Sequence, residues 1–157
     1  MWDIEAELID TKSYDYPKRN GTIQTAGQPF HHMHLRITFD QSFTIHAALA
    51  TFDASPYAIE CTSIEQAYAD LVGMNLLKGF RQRVKERFAR SAGCSHITEL
   101  AGILPTVALQ TMANQRKLAD KDSTARPFQL EGCHALRLDG GVVKEFYPQW
   151  YVATNNN

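Results

Sequence analysis

The chain has 157 residues, 44% hydrophobic and 21% charged, with a formal net charge of −1. That length supplies one sizeable core and reads as a single domain, 1–157. With so little net charge there is no global field to recruit nucleic acid or an anionic membrane, and no apolar run approaches the ~20 residues of a spanning helix. Neither nucleic acid nor membrane is therefore expected as a partner. The opening "MWDIEAELID" is acidic where a signal peptide is basic. Cys61, Cys94 and Cys133 are odd in number and form no CxxC pair, which suits reduced thiols and a cytoplasmic setting.

In chain order, Trp2, Ile4, Ala6 and Leu8 alternate with Asp3, Glu5 and Glu7, the period of a half-buried strand. Residues 10–30, punctuated by Pro17, Gly21, Gly27 and Pro29 and carrying Tyr14 and Tyr16, read as a long loop folded over something. Two more strands follow. Met33, Leu35, Ile37 and Phe39 mark one; Phe43, Ile45, Ala47 and Leu49 mark the other, with "DQS" as the hairpin between. Thr62 and Glu65 stand at capping-box spacing before a helix that Gly73 stops. A second helix is expected over roughly 77–89, and a third over 96–114 that Pro105 kinks or breaks. Residues 115–127 read as helix end and mobile loop. "CHALRLDGGVVKEFYPQWY" reads as two β-like runs about Asp139-Gly140-Gly141, and "TNNN" as a disordered tail. Strands first and helices after give an α+β fold, a three-stranded antiparallel sheet with helices on one face and a small C-terminal extension.

Four stretches carry reactive side chains. In "PFHHMHLRI" the strand period turns His32 and His34 away from the core, while His31 shares the core-side parity at the strand's start and overlooks any pocket there. In "ATFDASPYAIEC" the strand-to-helix connection holds Asp53 and Tyr57, and Asp53 suits either catalysis or a turn cap. In "GCSHITEL", Cys94 and His96 would point about 200° apart on one regular helix. They converge only if Cys94 precedes the first turn, where it feels the helix dipole, with Ser95 as a potential N-cap. The basic run Lys78, Arg81, Arg83, Lys85, Arg87 and Arg90 suits the solvated face of the second helix, or a phosphate site.

The ordered motifs "DTKSYDYP", "PFHHMHLRITFD", "DASPY", "GCSHITEL", "CHALR" and "YPQWY" resemble the bacterial domain-of-unknown-function family numbered 2889, across nearly the whole chain. The resemblance implies a setting of aromatic-compound catabolism. A more distant likeness joins residues 32–55 and 93–104 to iron–sulfur scaffold proteins of the IscU and NifU type, which bind zinc or a cluster through three cysteines plus aspartate or histidine. On that likeness Cys94 matches a ligand cysteine, His31 falls near the scaffold aspartate, and Ala54, beside Asp53, stands where a second cysteine is expected. Two of the three thiolates are absent, which argues against cluster assembly.

Taken with the catabolic setting, these residues point first to a small-molecule enzyme. The expected activity is a cofactor-independent carbon–carbon lyase acting on a phenolic, lignin-derived aromatic, releasing formaldehyde from a hydroxymethyl group. His31 and Asp53 would be the base and its orienting partner, His96 or Cys94 the second proton carrier, and Tyr14, Tyr16 and Tyr57 the aromatic walls. The alternative is a zinc-binding or sulfur-carrier adaptor using the same cleft; a third reading is a non-catalytic partner subunit using the basic helix. A homo-oligomer is compatible with each.

Overall fold

Alternation along the first residues produces the expected strand. In this computed structural model, which describes residues 1–113, 115 and 124–153, β1 (Trp2–Thr11) buries Ile4 and Ala6 and turns Asp3, Glu5 and Glu7 outward. The long connection after it contains its own small hairpin, β2 (Tyr16–Pro17) against β3 (Ile23–Gln24). β4 (Pro29–Phe39) and β5 (Ile45–Ala54) complete a three-stranded antiparallel sheet ordered β1-β4-β5. Met33, Leu35, Ile37 and Phe39 of the central strand are each at most 1% exposed, and burying such side chains stabilises by roughly 1.5–3 kcal/mol apiece.

Two bulges adjust β5. Thr38 pairs with Ala47 but Phe39 with Ile45, so His46 is an extra residue and the inward phase flips. Ile45 and Ala50 face the core, whereas Ala47 and Leu49, expected inside, are exposed, Leu49 by 59%. Phe43 is buried, but with φ of 66° it belongs to the turn over 40–44 and not to the strand. Asp40 organises that turn: its Oδ1 accepts from the backbone N–H groups of Ser42 and Thr44. The second bulge lies between Phe52 and Ala54, with Asp53 as its extra residue.

All helices of the first compact unit, Met1–Asn114, serve one sheet face. They are α1 (Ala58–Thr62), a 3-10 turn over Glu65–Leu71, α2 (Phe80–Arg87), a short 3-10 turn over Arg90–Ala92 and α3 (Ser95–Thr111). α3 lies on β1 and β4, the 3-10 turn lies on β5, and α2 lies against α3. The fold is α+β, with this three-stranded sheet and its helices. The capping box does not form: Thr62 donates to the Ile59 carbonyl at the end of α1, and Glu65 accepts from the Phe52 N–H, tying the turn to β5. α3 runs unbroken through Pro105, which is buried within it. On the preceding turn Arg81 donates to the Gly102 carbonyl at 2.9 Å. None of the helices in the described residues is long and apolar enough to cross a membrane.

In the second unit, Gln115–Asn157, the expected β-like runs about Asp139-Gly140-Gly141 are helical. A 3-10 turn spans His134–Leu136, α4 spans Gly141–Phe146 and a further 3-10 turn spans Pro148–Trp150. Gly140 closes a turn onto the Arg137 carbonyl and accepts from Lys144 as α4 begins, leaving Val143 buried and Val142 exposed. Two adjacent valines carry no period, and the turn chemistry decides between strand and helix. The expected tail 154–157 and most of the polar stretch 115–127 lie outside the described residues.

The start of α3 is fixed by one buried side chain. Tyr68, 0% exposed, stacks on Phe88 with ring centroids 4.4 Å apart. Its hydroxyl accepts from the Cys94 N–H at 2.9 Å and lies 2.9 Å from both the Cys94 carbonyl and Thr98 Oγ1. Burial pushes the phenol above its usual range, partly offset by these bonds. Just before it, Gly93 sits so close to Phe88 that a Cβ there would lie 2.6 Å from the Phe88 Cβ and 2.8 Å from its carbonyl oxygen. Tyr68→Phe should lower the unfolding free energy by about 1–3 kcal/mol by orphaning these partners. The checking measurement is a lower urea midpoint at unchanged slope.

Candidate functional site

The register of β1 against β4 assembles the polar groups at one end of the sheet. Asp10 pairs with His31 and Glu7 with His34, and strand alternation sends His31 to one face and His32 and His34 to the other. Two clusters result, one on each face.

On the helix face, Asp10 Oδ1 accepts from the His31 N–H at 2.7 Å and from His31 Nδ1 at 2.9 Å. A carboxylate here only accepts, so Nδ1 carries the proton and a neutral His31 keeps its lone pair on Nε2. The His31 side chain is 18% exposed. Its ring lies against His96 of α3, centroids 4.2 Å apart. Cys94 is the N-cap residue of α3, with extended backbone at φ −87°, ψ 129°. Its Sγ therefore swings to within 3.9 Å of His96 Nδ1, meeting the condition that helix geometry sets for the two to converge; Cys94, and not Ser95, is the cap residue.

Electrostatics distinguish the two imidazoles. Burial holds His96 below its ordinary value, a positive charge on His31 adds to that, and Asp10 partly offsets it. Both effects favour the neutral form of His96. Burial acts to raise Asp10, but the side-chain and backbone hydrogen bonds from His31 outweigh it and hold the carboxyl below the usual 3.8.

The other expected residues are placed elsewhere. Asp53 is on β5 and not in a loop, and it does not orient His31. Its carboxylate lies 3.3 Å from His34 Nε2 and 3.8 Å from His32 Nδ1 on the open face, because the extra residue at His46 reverses the phase of β5 and sets Asp53 on the side of Thr51, the partner of His34. Asp10, not Asp53, is the carboxylate hydrogen-bonded to His31. The alternating β1 and β4 patterns contained the signal: pairing their apolar residues sets Asp10 opposite His31. Tyr14 and Tyr16 form an aromatic group with Phe30 around Lys12, whose Nζ lies 5.9, 5.3 and 4.9 Å from the three ring centroids. Phe30 directly precedes His31. Tyr57 stands 69% exposed before α1. Of the basic helix, Arg87 is paired with Asp70 at 2.6 Å and Arg81 reaches α3. Arg81 and Lys85 line a cleft of about 300 Å³ with Glu99 and Ile103.

Both depressed groups make acid destabilising. His96 takes up its proton more readily unfolded, so stability is full above pH ~6.5 and declines as pH falls through that value. The Asp10 contribution persists lower and is lost below its unfolded value near 3.8. In a histidine NMR titration, His96 should titrate below 6.5, and His31→Gln, by removing the adjacent cation, should raise its midpoint.

A protein-family model described as "Protein of unknown function (DUF2889)" matches residues 1–110, from β1 into α3 and across both clusters. No curated protein and no solved structure matches the chain, so the likeness to iron–sulfur scaffolds gains no support from solved folds. With the matched region covering most of its length, the chain belongs to the DUF2889 family.

Proposed function

We propose that this protein is a small-molecule enzyme, a cofactor-independent carbon–carbon lyase acting on a phenolic, lignin-derived aromatic. The observation that carries the reading is the Asp10–His31–His96 array, in which two imidazoles of unlike environment touch at 4.2 Å. Two adjacent imidazoles, with burial favouring the neutral form of His96, make an acid–base pair. His96 takes the hydroxyl proton of a hydroxymethyl substituent, and the O–H electrons become the carbonyl of departing formaldehyde. The pair of the broken C–C bond passes to the carbon that remains, which His31 or Cys94 protonates. Atoms balance without an oxidant or cofactor. Asp10 positions His31, and the aromatic group of Tyr14, Tyr16 and Phe30 around Lys12 is the candidate substrate wall of this reading.

The three cysteines are free thiols, which supports a reducing, cytoplasmic location. The alternative, a zinc or sulfur carrier at the same cleft, draws on Cys94 and His96 and predicts stoichiometric metal that is lost in Cys94→Ala. In the lyase reading, formaldehyde released from phenolic arylpropanols is the assay. His96→Ala and His31→Ala should each lower kcat by about 10²–10⁴-fold. The rate should rise with pH through the depressed value of His96 and level off near neutrality. Wild-type protein that turns over no such substrate, or an unimpaired His96→Ala, would sink the proposal.

A further inference from the structure

The open face of the sheet carries a second cluster that proton transfer at His31 does not use. Glu7 Oε1 lies 2.7 Å from His32 Nε2 and 3.9 Å from His34 Nε2. Asp53 Oδ2 lies 3.3 Å from His34 Nε2 and 3.8 Å from His32 Nδ1. Behind them, Glu5 Oε1 is 3.1 Å from His34 Nδ1. Among the described residues, Glu7, His32 and His34 place one ligand atom each within 4.8 Å of one another.

A ladder of ordinary cross-strand ion pairs does not account for this composition. Farther along the same face, Asp3 is satisfied by Arg36 at 3.0 Å and by the Thr38 hydroxyl at 2.5 Å. At the histidines, three carboxylates converge on two imidazoles, so whatever protons the rings carry, at least one negative charge is left over. The surplus is negative charge and lone pairs, the condition a cation resolves. Strand alternation supplies the third carboxylate: Asp53 follows Thr51, the partner of His34, on the same face of β5 and so stands beside the two rings.

We propose that His32, His34, Glu7 and Asp53 form a binding site for a divalent transition metal of the zinc class on the open face of the sheet. Two histidines with carboxylates are donors that zinc accepts at ~2.0–2.2 Å. Ligand atoms around a tetrahedral ion then stand roughly 3.3–3.5 Å apart, a spacing His34 Nε2 and Asp53 Oδ2 already have. Glu7 Oε1 and His32 Nε2, now 2.7 Å apart, would separate to take the ion between them, and the Glu7 side chain is exposed. Glu5 fixes His34 with Nδ1 protonated and Nε2 available, the carboxylate–histidine arrangement that orients metal ligands. Because the cluster faces away from His31, Cys94 and His96, the site is independent of the lyase reading, and either can fail alone.

The test uses the full untagged chain, stripped with a chelator and titrated with Co²⁺ and then Zn²⁺. One Co²⁺ per chain with visible d–d bands, displaced by Zn²⁺, is expected. His34→Ala and Asp53→Asn should each weaken binding at least tenfold, and Glu5→Gln by about 10–100-fold. Circular dichroism confirms that each variant is folded, and the exposed Asp53→Asn decides if His34→Ala is not. Absence of saturable Co²⁺ binding by the wild-type chain would overturn the proposal. So would binding undiminished in the His32→Ala/His34→Ala pair, or a sulfur-to-cobalt charge-transfer band assigning the ion to Cys94.

Discussion

The hydroxyl of Tyr68 is the interaction on which the geometry of both the helix layer and the histidine pair depends. It sits at the first turn of α3, where backbone N–H groups have no helical partner, and ties the Cys94 backbone and Thr98 to the core. Phe88 holds the other side of the same junction, stacked on the Tyr68 ring and pressed against Gly93. The position of His96, in the first turn of the helix, follows from this clamp, and so does the extended backbone that turns Cys94 toward it. A buried polar group with every bond made is a strong determinant of a single arrangement. Here it fixes the helix end that faces the sheet.

Opposite that clamp, β4 does two things with consecutive residues. Alternation gives His31 to the helix layer and His32 and His34 to the open face, each met by an acid from β1. The two clusters are separated by one peptide unit along the chain and by the thickness of the sheet in space. The rigid central strand thus positions two chemically distinct sets of side chains with no loop contributing to either.

Much of this was legible in the residues. The apolar alternation of β1 and β4 gave both strands and the faces of all three histidines, and helical geometry stated in advance where Cys94 had to stand. What escaped is explained by events that alternation does not encode. An extra residue at His46 reversed the phase of β5, exposing Leu49 and turning Asp53 to the face opposite His31; a second one at Asp53 interrupts the strand's end. Bulges leave no period in a single sequence, so inferences beyond them fail together. Asp10 was missed for a different reason: its role lies in pairing between strands, and the loop assigned from residue 10 onward hid the last strand positions of β1. At Gly140, two glycines and two valines fit a hairpin as readily as a helix start, and local hydrogen bonding chose the helix.

The acids of β1 have one more effect, on what the sheet does not do. β1 is an edge of the three-stranded sheet, and an uncovered edge is a template on which another strand can dock. Asp3, Glu5 and Glu7 occupy alternate positions along it. A second β1 laid antiparallel beside the first would set carboxylate against carboxylate, an arrangement that destabilises cross-strand pairing. The same charges that gather histidines from β4 therefore discourage growth of the sheet past three strands on that side, protecting the chain from edge-to-edge aggregation.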